Sequence, residues 1–158
     1  MPVDPPRFLA DAMLGRLAKW LRILGLDCSY AEDLTDTEIL ACARQEGRVL
    51  LTRDVALARK AGPGGYRIYA GKIREQIREV VEAFDLPPRP AFTRCLHCNV
   101  PVSPAAPSAV ATRVPSKIAR CCGPFTSCPV CGRIYWPGSH PLRATQWLKG
   151  IIRANDQA

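Results

Sequence analysis

Three aspartates, Asp11, Asp36 and Asp54, follow short β-prone runs, and four cysteines stand in two Cys-x-x-Cys pairs, Cys95/Cys98 and Cys128/Cys131. Carboxylates repel one another, so a cluster of them persists mainly around a cation, and an all-oxygen set suits Mg²⁺ or Mn²⁺. In phosphodiester cleavage such ions activate a water and neutralise charge on the leaving oxygen. Each acid also has a plainer reading: Asp11 and Asp36 as helix N-caps, Asp54 as a cap or a partner of Arg53. Three acids at three strand ends together favour the chemical reading. The four thiols fit a closed, structural Zn²⁺ site. In "CPVCG" a tight turn lets backbone N–H groups face the sulfurs, and Gly132 relieves crowding.

The elements that position these residues are legible in the apolar spacing. Arg7 to Ala10 reads as a strand, and Leu14, Leu17, Ala18, Leu21 and Leu24 recur at helical spacing until Gly25. Residues 28–31 read as a second strand, with Thr35 or Asp36 capping a helix to about Glu46. Residues 48–51 form a third strand, followed by a helix from about Val55. "YRIYA" gives a fourth strand, and residues 72–84 a further helix. Repeated β-then-α units imply a parallel sheet flanked by helices, whose ligands sit beyond the carboxyl ends of the strands. The fold class is therefore α/β, with a small C-terminal zinc-ribbon module. The domains divide as 1–88 and 89–158, joined by the proline-rich "LPPRPAFTRC". The proline- and serine-rich stretch 99–117 reads as a loop, and a last helix spans about 141–153, docking through Leu142, Trp147, Leu148 and Ile151.

The chain has 158 residues, 47% of them hydrophobic, which excludes wholesale disorder. Lys and Arg outnumber Asp and Glu by 22 to 14, a formal charge of +8 that favours a polyanionic partner. No window is long and apolar enough for a membrane span, and the start lacks the pattern of a secretory signal. A cytoplasmic location is expected, where paired cysteines point to metal before disulfides. Arg16, Lys19 and Arg22 recur every third residue after Asp11, either as a phosphate-holding stripe or as a solvated helix face. Cys28 and Cys42 read as packing residues. Cys121 and Cys122 are either substitutes for Cys128 or free thiols, and His97, inside the first knuckle, either competes for the metal or points outward. His140 is a phosphate contact, a support for a zinc thiolate or a structural hydrogen-bonding group. Tyr135 and Trp136 offer aromatic faces to RNA or to the rest of the protein.

"FLADAMLGRLAKWLRILGLDCSYAEDLTDTEIL", "GRVLLTRD" and "CPVCGRIYWPGSH" together resemble the Mut-seven C-terminal RNase family, over about residues 7–148. The resemblance implies a PIN-like fold and a metal-dependent endoribonuclease. Asp11, Asp36 and Asp54 would hold the catalytic Mg²⁺ or Mn²⁺, with Thr52 and Arg53 shaping the third strand end and Glu38 either assisting or solvated. Arg16, Lys19, Arg53 and His140 are the RNA-binding candidates, and RNA is the expected partner. A homo-oligomer and a protein inhibitor are left open. One departure concerns the fourth acid such nucleases place after the fourth strand. Here Gly71 and Lys72 stand there, and Glu75 is the nearest carboxylate. That favours the alternative of a non-catalytic RNA-binding module with a degenerate site.

Overall fold

The computed structural model describes residues 4–87 and 91–152, so Pro88, Arg89 and Pro90 of the expected joint, and residue 153 of the expected last helix, lie outside the described residues. Four strands, β1 (Phe8–Ala10), β2 (Cys28–Tyr30), β3 (Val49–Thr52) and β4 (Gly65–Arg67), form one parallel sheet in the order β2-β1-β3-β4. Between and after them run α1 (Gly15–Ile23), α2 (Asp36–Glu46), α3 (Val55–Ala61) and α4 (Ile73–Ala83). The strand runs are apolar on both sides because both faces are covered. Phe8, Ala10 and Leu51 point into a core with Leu17, Leu21, Ile77 and Val80, whereas Leu9 and Leu50 point the other way, against Ile39, Ala43 and Leu57. The chain steps from β1 to β2 in one direction, then recrosses to β3 and β4. The reversal opens a crevice at the carboxyl ends of β1 and β3.

Local chemistry decides the element ends. Thr35, and not Asp36, caps α2: Glu38 N donates to Thr35 Oγ1 (3.4 Å), and Thr35 N donates to Glu38 Oε2 (2.8 Å). Gly25, at φ +77°, ends the turn after α1, its N–H donating to Arg22 O. β4 is shorter than the expected strand and begins at Gly65, because Glu79 of α4 accepts from the N–H groups of Tyr69 and Ala70, each at 2.9 Å, and draws them out of the ladder.

The second half is built on a three-stranded antiparallel sheet of β5 (Ser103–Pro104), β6 (Thr126–Ser127) and β7 (Ile134–Tyr135). The stretch expected as a loop instead contains α5 (Pro107–Arg113), and α6 (Ser116–Cys121) follows. A proline at the first turn of α5 supplies a helical φ without an orphaned N–H, and Val110 and Val114 give the segment a buried side. The last helix, α7 (Ser139–Ile152), returns to the first half: Leu148 and Ile151 join the core of α1 and α4. The Trp20 and Trp147 rings lie 4.4 Å apart, and Arg74 Nη2 donates to Gly150 O. Leu142, expected to dock, is 60% exposed because it lies on the outer side of the first turns.

The halves meet at the amino end of β2. Asp27 accepts from Arg48 Nη1 (2.5 Å) and Asn99 Nδ2 (2.7 Å) and faces Arg94 Nη2 at 3.7 Å. Arg22 is not on a solvated face. It is buried, its Nε donating to Cys28 O and its Nη1 to the carbonyls of Leu96 and His97. Burial raises the Asp27 carboxyl, but the bonds from Arg48 and Asn99 outweigh it and leave the group below the usual aspartate value.

Asp27→Ala strands the guanidinium of Arg48 and the amide of Asn99, and is expected to cost about 2 kcal/mol in urea unfolding at neutral pH. Since the folded-state value is the lower one, this contribution is complete above the ordinary aspartate value of about 4 and drains away as pH falls through the folded value. The difference between wild type and variant should therefore shrink only in acid.

Candidate functional site

At the crevice, Asp11 follows β1 and caps a single 3₁₀ turn, its Oδ1 accepting from Met13 N at 3.0 Å. Its Oδ2 accepts from the hydroxyl of Thr52, the last residue of β3 and wholly buried. Thr52 Oγ1 in turn accepts from Asp54 N at 2.9 Å, and Asp54 Oδ1 accepts from Leu57 N at 2.7 Å to cap α3. One hydroxyl thus ties two acids 43 positions apart in the chain, 11 and 54, into a single hydrogen-bonded unit. Asp11 is buried and Asp54 is exposed.

Asp36 sits in the first turn of α2, where its Oδ2 lies 3.5 Å from Lys60 Nζ on an exposed surface. Among the described residues, the four cysteines are the one group of three or more Cys, His, Asp or Glu whose ligand atoms all lie within 4.8 Å of one another, so the three aspartates are more widely spread than that. Glu38 is committed to the capping box, and its carboxyl is held below the usual glutamate range by the Thr35 hydroxyl and N–H. Glu75 is exposed. The acid that reaches the end of β4 is Glu79, already occupied by two backbone N–H groups.

Two further acids belong to this end of the sheet. Tyr30, at the end of β2, donates to Ala12 O at 3.0 Å. Burial, then the charges of Glu32, Asp11 and Asp33, push its phenol above the ordinary tyrosine value. Glu32 and Asp33 lie in the connection from β2 to α2, to which the sequence reading gave no role. The signal was present in the acidic run "EDLTD" directly after a strand. Gly15 makes room for Tyr30, since a Cβ there would come within 2.9 Å of the ring. Arg16 and Lys19 are exposed on α1, which starts beside Asp11, and Arg53 is exposed between Thr52 and Asp54.

The second constellation is the cysteine cluster. Cys95 and Cys128 are buried, and Cys98 and Cys131 are half-buried. Each knuckle repeats the same wiring. Cys95 N donates to Val100 O and Asn99 N to Cys95 O. Cys128 N donates to Arg133 O and Gly132 N to Cys128 O. Asn99 and Gly132 occupy matching left-handed positions, at φ +63° and +69°. The N–H groups of Cys98 and Cys131 point at Cys95 Sγ (3.3 Å) and Cys128 Sγ (3.5 Å). Cys95 Sγ and Cys131 Sγ lie 3.7 Å apart, close to the ~3.8 Å edge of a tetrahedron with Zn–S bonds of ~2.3 Å. The donor set therefore fits zinc. Leu96 N donates to Tyr135 Oη (3.2 Å), which leaves the Tyr135 hydroxyl to donate to Cys95 Sγ at 3.1 Å. Burial pushes the Cys95 thiol up, but the Cys98 N–H, the Tyr135 hydroxyl and the His97 N–H bring it down to about 6.

The remaining candidates fall outside both sites. His97 is exposed and not among the clustered ligands. Cys121 and Cys122 are not among them either, so Cys128 is the cysteine that completes the set. Cys28 is a buried packing thiol, pushed up to about 12 by burial, whereas Cys42 is only half-buried and donates to Glu46. His140 is exposed and lines an apolar groove of about 710 Å³ with Trp136, Leu142, Leu96 and Ile23. The first knuckle touches the amino end of β2, while Asp11 and Asp54 stand at carboxyl ends, so the two centres occupy opposite ends of the sheet.

A doubly covered parallel sheet with paired acids at its switch point, joined to a four-cysteine knuckle module, defines an α/β protein with a carboxylate crevice and a cysteine cluster whose donor set fits zinc. The profile of the Mut7-C RNAse domain matches residues 6–148, and the chain belongs to that family. No curated protein and no solved structure matches it. Among the described residues, no helix is long and apolar enough to cross a membrane.

Cys128→Ser is expected to abolish stoichiometric zinc and to melt the second half, whereas Cys121→Ser and Cys122→Ser should each retain one zinc per chain. Elemental analysis with circular dichroism reads both outcomes.

Proposed function

We propose that the chain is a Mg²⁺- or Mn²⁺-dependent endoribonuclease of PIN-like architecture. The observation that carries this reading is the buried Thr52 hydroxyl joining Asp11 to Asp54 at the switch point. Mg²⁺ keeps several of its waters and is held by one or two carboxylates, so Asp11 and Asp54 suffice as direct ligands. Asp36 then acts from the outer sphere, sharing its charge with Lys60. A cation bound there would supply an activated water and neutralise the leaving oxygen. The residues around it have separate tasks. Thr52 fixes the spacing of the two acids. Glu32 and Asp33 add to the negative field that attracts the ion. Arg16, Lys19 and Arg53 hold RNA phosphates at the same end of the sheet. His140 would contact RNA only at the separate groove beside the ribbon.

The zinc ribbon, in this reading, is structural. It keeps the module folded and seated on β2 while the carboxylates work at the far end of the sheet.

A second reading, an RNA-binding module without catalysis, draws on Glu79. Glu79 already accepts from the Tyr69 and Ala70 N–H groups at the end of β4, and the residues that follow, Gly71 and Lys72, supply no carboxylate.

Asparagine caps helices as well as aspartate does, so Asp54→Asn should keep α3 intact and, as the loss of a direct metal ligand, lower Mn²⁺-dependent cleavage of single-stranded RNA by more than about 100-fold. Unchanged cleavage would reject the assignment. Binding that weakens steeply with salt, with no cleavage in Mg²⁺ or Mn²⁺, would establish the second reading. Thr52→Val should cost about 1–3 kcal/mol of stability through the unpaired Asp54 N–H and the Asp11 carboxylate, with cleavage reduced alongside.

A further inference from the structure

Four of the eight cysteines converge on the cluster, Cys28 is sealed in the core, and Cys42 is bonded to Glu46. Cys121 and Cys122 remain, and neither the zinc centre nor the proposed nuclease uses them. They are consecutive residues at the end of α6, Cys121 exposed and Cys122 half-buried, with their Sγ atoms 2.9 Å apart. Cys121 donates its thiol hydrogen to Lys117 O at 3.1 Å. The hydrogen between the sulfurs is therefore that of Cys122, and this bond to Cys121 holds the Cys122 thiol above its ordinary value. Lys117 and Arg120 are exposed within one turn of the two thiols.

We propose that Cys121 and Cys122 form a two-thiol site for a trivalent arsenical. Sulfur ligands select soft, thiol-seeking centres, and the separation chooses among them. Bonds of ~2.3 Å to a linear two-coordinate ion would spread the sulfurs to ~4.6 Å, and a tetrahedral ion would hold them ~3.8 Å apart. A pyramidal centre with nearly right-angled bonds holds both sulfurs on one side and closest together, the arrangement nearest to the one present. The reaction exchanges ligands without oxidation. Two As–S and two O–H bonds form as the As=O bond and two S–H bonds break. The two protons leave with the oxygen of an organoarsenic oxide as one water molecule. The site lies on the solvent side of α6, so the reagent reaches it without opening the zinc cluster.

The test uses the full, zinc-loaded chain, a phosphine reductant and phenylarsine oxide, read by intact mass under non-denaturing conditions. One adduct per chain is expected, with zinc retained. Each of Cys121→Ser and Cys122→Ser, with its zinc content unchanged, should weaken that adduct by about 100-fold, since the second sulfur no longer binds intramolecularly. No adduct, an adduct that persists in both variants, or one that appears only as zinc leaves would each overturn the proposal.

Discussion

A parallel sheet has no face that can be left to water, and strands of three or four residues make a small sheet to protect. Phe8 and Leu9 are adjacent and both buried, on opposite faces, so each face needs its own helices. α2 and α3 cover one face. α1 and α4 cover most of the other, and the remainder is filled by Leu148 and Ile151 from the far end of the chain. That requirement shapes the whole molecule. The cysteine module cannot trail as an independent appendage, because the helix that follows it is part of the first core. The ribbon is instead held between two attachments, the Asp27–Asn99 contacts at one side and α7 at the other.

The same topology separates two kinds of chemistry. Hard oxygen donors collect where β1 and β3 end, and soft sulfur donors collect beside the start of β2. Each set is arranged by short-range bonding: a threonine hydroxyl for the acids, backbone N–H groups and a tyrosine hydroxyl for the thiols. The division of labour has a physical basis, since hard cations prefer carboxylate oxygens and zinc accepts thiolates.

Much of this was readable before any coordinates. Apolar runs at 8–10 and 49–51, and helical spacing through Leu17, Leu21 and Ile77, marked the layers because burial on both faces leaves a strong pattern. The cysteine spacing named the four thiols that come together, and two candidate acids, Asp11 and Asp54, are linked through a residue that only the resemblance had brought forward. What escaped depended on distant partners. Arg22 keeps helical spacing with Arg16 and Lys19, yet its burial is decided by the carbonyls of Leu96 and His97, more than seventy positions away. Lys60 beside Asp36 and Glu79 behind β4 are likewise pairings between elements. Residues 107–113 look like a loop by composition, and only the burial of Val110 reveals a helix.

The docking of the first knuckle has a colloidal consequence. β2 is an outer strand, and an outer strand of this kind is a template on which another molecule's backbone can lie. Here Asn99 Oδ1 occupies the Cys28 N–H, and the Arg22 guanidinium bridges the Cys28 carbonyl to the knuckle loop. The cysteine-bearing loop thus works as a plug on the sheet margin. If that loop unfolded, the chain would lose more than a folded module, because it would bare a sticky rim and cross from a dispersed solute to a self-associating one.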